Sequence, residues 1–68
     1  MTLELNKKYR TRNGNMITIR NVDYSYNFPF LGDVVDSKNN HIIIASYNSG
    51  GNYKNDGQSP FDIVELIK

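Results

Sequence analysis

The stretch that decides the fold is Lys8-Tyr9-Arg10-Thr11-Arg12-Asn13-Gly14-Asn15-Met16-Ile17-Thr18-Ile19-Arg20-Asn21-Val22. Lys8 to Arg12 alternates in character, and Asn15 to Val22 resumes the alternation, as half-buried strands do. Asn13-Gly14 separates the two runs. An Asn-Gly pair in that place signals a β-hairpin, because both central residues of a type I′ turn need positive φ. Alternation directs Ile17 and Ile19 to the core and Met16, Thr18 and Arg20 to the other face. Upstream, Leu3 and Leu5 precede Asn6-Lys7-Lys8 as a short lead-in that packs at the base of a barrel.

Downstream, Asp23 to Pro29 form a loop, and Pro29 pushes Phe28 to an extended conformation. Phe30 to Asp36 reads as a third strand, in which Gly32 suggests a bulge or a sharp bend. Ser37 to Asn40 is a turn, and His41 to Tyr47 is a fourth strand rich in β-branched residues. Asn48 to Gly51 is another turn, and Asn52 to Lys54 a brief strand ended by Asn55-Asp56-Gly57. Ser59-Pro60-Phe61-Asp62 has an N-cap serine with proline at the first helical position, which predicts a single helical turn. Ile63 to Ile67 then reads as a closing strand, with a short C-terminal helix as the alternative. Five or six short strands with frequent turns predict an all-β, mainly antiparallel domain over residues 1–68, a small SH3-like or curved-sheet barrel. A core this small is marginal, and an exposed edge strand offers a route to homo-oligomers.

The composition removes much chemistry. The 68 residues include no cysteine and one histidine. A disulfide framework, a Cys-based zinc site and a thiol nucleophile are excluded, and one imidazole does not make a catalytic zinc site. No serine lies in a nucleophile-elbow pattern. Asp33 and Asp36 fall on opposite faces of one strand and form no dyad. The expectation is a non-enzyme without metal or cofactor. The longest apolar run, Ile42 to Ala45, is far short of the ~20 residues that span a bilayer, and no signal-peptide pattern opens the chain. No membrane association and a cytoplasmic setting are therefore expected.

Two counts stand out. Asparagine occurs ten times, dispersed rather than clustered, which suits turns but also an AT-rich coding sequence. The net charge of +1 conceals a polarity: residues 1–22 carry +4 and residues 23–68 carry −3. A basic end suits phosphates or an acidic partner, and equally a solvated hairpin neutralised by the acidic half.

The suggestive feature is arginine beside tyrosine. Tyr9, Arg10, Arg12 and Arg20 lie on the first hairpin, Tyr24 and Tyr26 follow it, and Tyr47 and Tyr53 flank the Gly50-Gly51 turn. Arginine offers bidentate bonds to phosphate, and tyrosine a stacking platform for a base. The same residues anchor protein interfaces, and tyrosine favours strands anyway. Ser49, Gly50 and Gly51 lack P-loop spacing, but their backbone N–H groups suit an anion nest as well as a plain turn.

Four segments carry a resemblance: Lys8-Tyr9-Arg10-Thr11-Arg12-Asn13-Gly14, Pro29-Phe30-Leu31-Gly32, Ser46-Tyr47-Asn48-Ser49-Gly50-Gly51-Asn52-Tyr53 and Ser59-Pro60-Phe61-Asp62-Ile63-Val64-Glu65. Together they resemble a group of small bacteriophage proteins with the pattern K-Y-x-T-R-x-G, P-hydrophobic-x-G, S-W-x-x-x-G-x-Y, S-P-x-D-L-V. The chain departs from it in having Tyr47 at the usual tryptophan and Gly50-Gly51 where an acidic residue and a glycine are commoner. The resemblance implies a non-catalytic accessory protein in an infected bacterial host that antagonises a host defence. It would cap a host protein or sequester a signalling nucleotide. A nucleic-acid-binding barrel of SH3-like or OB-like type is the alternative, favoured by the basic hairpin and disfavoured by the near-neutral total charge.

Overall fold

The computed structural model describes residues 3–53 and 57–67. The described chain is all-β. Its strands are β1 (Lys8–Thr11), β2 (Met16–Val22), β3 (Phe30–Val35), β4 (His41–Tyr47) and β5 (Ile63–Leu66). They form one antiparallel sheet in the order β4-β3-β2-β1-β5, a four-strand meander whose last strand returns to β1. The alternation read from the sequence becomes a one-sided core. Ile17 and Ile19 are fully buried, with Tyr9, Phe30, Val34, Ala45, Tyr47 and Ile63 around them and Leu3 beneath. Burying the apolar row is what holds the register, since a one-residue slip would turn that row to water.

The sheet curls until the end of β4 meets the start of β5. Ile63 N–H donates to the Gly51 carbonyl at 2.9 Å, and the Tyr47 hydroxyl donates to the Phe61 carbonyl at 2.5 Å. The stretch before β5 is strand-leading turn, not helix, so the closing-strand reading of the C-terminal segment holds. Only the single turn at Pro60-Phe61 forms, with Asp62 N–H donating to the Ser59 carbonyl at 3.0 Å. Asn52 and Tyr53 are not in a strand, and Lys54 to Asp56 lie outside the described residues.

Three turns share one design, and it corrects the type I′ expectation at Asn13-Gly14. The turns are Thr11-Arg12-Asn13-Gly14-Asn15, Asp36-Ser37-Lys38-Asn39-Asn40 and Asn48-Ser49-Gly50-Gly51-Asn52. In each, the fourth residue donates its N–H to the first residue's carbonyl, at 3.0 Å in all three. That fourth residue has positive φ: 89° at Gly14, 65° at Asn39 and 83° at Gly51. The first residue's N–H donates to the fifth carbonyl, and the fifth N–H returns to the first side-chain oxygen at 2.9–3.0 Å. Asn13 itself does not have positive φ. One left-handed residue in a three-residue loop suffices, where a two-residue type I′ loop needs two. The fifth residue is asparagine every time.

Gly32 sits at a different constraint. The register of β2 on β3 shifts between Ile19 and Asn21, opposite Gly32 and Leu31, so the bulge belongs to β2 at Arg20. A Cβ on Gly32 would stand 2.5 Å from the Ile17 side chain. The glycine lets Ile17 fill the core.

Candidate functional site

The three candidate arginines are all engaged by carboxylates. Arg10 Nε donates to Glu65 at 3.0 Å between β1 and β5, and Arg20 donates to Asp33 at 3.1 Å between β2 and β3. Arg12 lies 3.6 Å from Asp62. The polarity between the basic first third and the acidic remainder is thus matched within the fold, pair by pair. Arg10 and Arg12 meet carboxylates of β5 and the turn before it, and Arg20 meets one on β3.

The tyrosines divide into core and surface. Tyr9 and Tyr47 are 1% and 0% exposed, so neither ring offers a stacking face. The Tyr9 hydroxyl accepts the Glu4 N–H at 2.9 Å. Burial, with Tyr53 and Asp62 nearby, pushes the Tyr47 phenol far above its usual range, so it stays protonated and donates to the Phe61 carbonyl. Tyr53 packs partly buried between Tyr47 and Phe61, with centroids 5.9 Å and 5.6 Å away. Tyr24 and Tyr26 are the surface pair, 77% and 68% exposed. The Tyr24 and Phe30 rings stand nearly perpendicular with centroids 5.8 Å apart, and Tyr24 stays exposed.

At the Gly50-Gly51 turn, Ser49 and Gly50 are exposed and Gly51 is buried. Gly50 N–H donates to Asn48 Oδ1 and Gly51 N–H to the Asn48 carbonyl. These amides serve the turn and are not free to cradle an anion.

A buried carboxylate organises the neighbouring turn. Asp62 is 2% exposed and accepts N–H groups from Tyr53 at 2.8 Å and Ser59 at 2.9 Å. Desolvation pushes its pKa up, but the two backbone donors and Arg12 outweigh it, so Asp62 ionises below the usual carboxylate range. Ser59 Oγ in turn accepts the Phe61 N–H at 3.2 Å, a reciprocal arrangement of the capping-box kind with Pro60 between. This is a structural reason for the Ser59-Pro60-Phe61-Asp62 motif.

The open concavity lies elsewhere. A groove of about 660 Å³ runs between the β2–β3 loop and the outer side of β3 and β4. Phe28, Leu31 and Ile44 give it an apolar floor, Asn21 and Ser46 a polar rim, and Tyr26 and Tyr53 its aromatic walls. Asp23 is the one charged residue among the described residues lining it. Its carboxylate accepts the hydroxyl and N–H of Ser25, which lower its pKa and pin the loop beneath Tyr26. Of the sequence candidates, only Tyr26 and Tyr53 reach this groove; none of the three arginines does. Phe28, Leu31 and Ile44 were invisible as a set, since they come from a loop and two strands.

Among the described residues, no group of acidic, His or Cys side chains is placed to hold a metal ion, and no helix is long and apolar enough to cross a membrane. Comparison with protein-family models, curated proteins and solved structures finds no match.

Proposed function

We propose that the chain is a non-catalytic phage accessory protein that antagonises a host defence by capping a host protein, with the groove as its docking surface. The groove carries this reading: it is concave, mostly apolar, and edged by the exposed ring of Tyr26 on a loop already ordered by Asp23. Exposed tyrosines beside apolar pockets are frequent anchors of protein interfaces. The arginines favour protein over nucleotide, since each already faces a carboxylate and a phosphate would have to displace it. The phage and cytoplasmic setting is inferred from the four-segment resemblance.

Affinity capture from bacterial lysate, with wild type and Leu31→Glu in parallel, tests the proposal. A defined host protein retained by the wild type and lost on the variant is expected. Binding of a cyclic nucleotide in calorimetry, unaffected by Leu31→Glu, would replace it with nucleotide sequestration. Salt-sensitive binding of DNA or RNA would replace it with the nucleic-acid-binding barrel.

A further inference from the structure

The two edges of the sheet are guarded unequally. β5 is short, at four residues, and carries Glu65 held by Arg10. β4 is seven residues, His41-Ile42-Ile43-Ile44-Ala45-Ser46-Tyr47, with no proline and no lysine, arginine or carboxylate. Its partner on one side is β3, and its other side has no strand among the described residues. Ile42 and Ile44 stand 39% and 51% exposed on it. Long, uncharged, β-branched edges are the ones that acquire another strand, and native monomers blunt them with charge, proline or short length.

We propose that β4 pairs antiparallel with β4 of a second copy of this chain, about a two-fold axis. Three observations select a second copy. A neutral strand meets itself without like-charge repulsion. A two-fold contact is self-complementary, so the exposed isoleucines of one copy cover those of the other. His41, the one basic residue on β4, sits at its start and already faces its own Asp33 at 3.9 Å, so antiparallel pairing keeps the two histidines at opposite ends. Ile44, Ala45 and Ser46 also line the β4 side of the groove. The second strand therefore extends that side, and the dimer carries two grooves flanking one continuous sheet. The inference rests on the edge of β4 and is independent of what occupies the groove.

Sedimentation equilibrium of the full chain, up to millimolar concentration, is the test. The expected result is a mass that rises from one chain to two. Ile44→Lys is expected to remain monomeric with an unchanged β-type circular dichroism spectrum, while Val64→Lys on β5 dimerises as the wild type does. Should Ile44→Lys not fold, Ile42→Lys serves the same purpose. The natural chain has no cysteine, so oxidation of an Ile42→Cys, Ile44→Cys double variant is expected to trap a disulfide-linked dimer. A wild type that stays monomeric throughout overturns the inference, as does dissociation by Val64→Lys but not by Ile44→Lys. Pairing of β4 with a foreign extended peptide in a monomeric wild type overturns it in favour of strand donation by a partner. A dimer that captures no host protein retains this inference and removes the docking one; a monomer that captures one does the reverse.

Discussion

Replacing Asp62 should cost more than replacing any other carboxylate described in the fold. Its side chain accepts the Tyr53 and Ser59 N–H groups at 2.8 Å and 2.9 Å in a site that is 2% exposed. Asp62→Ala strands both donors, at about 1–3 kcal/mol each, for a loss of about 2–6 kcal/mol in all. Loss of the Arg12 pair adds little, because the guanidinium is about half exposed. A chain of this length is stable by roughly 3–10 kcal/mol, so the variant forfeits a large part of its margin. Asp62→Asn keeps one acceptor oxygen and turns an amide N–H toward the other donor, so its cost should be smaller, about 1–3 kcal/mol. Urea unfolding followed by circular dichroism at neutral pH measures both.

The pH dependence carries a second, independent check on the same residue. The folded pKa of Asp62 lies below the usual value, so the unfolded chain takes up the proton first. Its contribution is fully present above the unfolded pKa of about 3.9 and fades as pH falls through the lower folded value. The stability gap between wild type and Asp62→Asn should therefore narrow in acid and stay constant from pH 5 to 8 (about the range where both forms are fully ionised). An Asp62→Ala variant within about 0.5 kcal/mol of wild type, the level of an ordinary surface change, would refute the hub role.

Three further outcomes follow from the packing. Gly32→Ala places a Cβ 2.5 Å from Ile17 Cδ1, 2.6 Å from Ile17 Cγ1 and 3.0 Å from the Thr18 carbonyl, and should destabilise by about 1–3 kcal/mol; Ile17→Ala removes both clashing side-chain carbons, so the double variant should lose less than the sum of the singles in urea unfolding. Tyr47→Phe leaves the Phe61 carbonyl without its donor and should cost about 1–2 kcal/mol; in the wild type one tyrosine should resist ionisation, with stability present below pH ~10 and lost as pH rises further, read by phenolate absorbance. A double-mutant cycle on Arg10 and Glu65, both well exposed, should return a coupling under about 1 kcal/mol that shrinks with salt.

Local sequence was enough for the strands because each is short, alternating and bounded by turn residues. β4 was read with its observed limits, His41 and Tyr47, and the other strands differ by a residue at an end. Asp36 left the third strand because its carboxylate accepts the Lys38 and Asn40 N–H groups and begins the turn. Turn type was less legible. Asn13-Gly14 fits two loop designs, and the choice falls on the one that also lets Thr11 Oγ1 accept the Asn15 N–H at 3.0 Å. The repeated turn also gives a structural use to asparagines whose abundance alone was equally consistent with codon bias. Asn39 carries positive φ, Asn48 supplies the capping side chain, and Asn15, Asn40 and Asn52 close their loops.

Composition and alternation determined by themselves that this is a cysteine-free, all-β chain with Ile17 and Ile19 inward, because those properties depend on residue type and a period of two. Whether an arginine is free or paired, and whether a tyrosine is core or surface, was decided by register and curl. Tyr9 and Tyr26 carry the same phenol, yet one is sealed beneath the first hairpin and the other edges the groove. Arg10, Arg12 and Arg20 read as a basic cluster along the chain, but β5, the Ser59–Asp62 turn and β3 each bring a carboxylate from far away in sequence. The groove has no sequence signature for the same physical reason: its floor exists only once the loop, β3 and β4 are folded against one another.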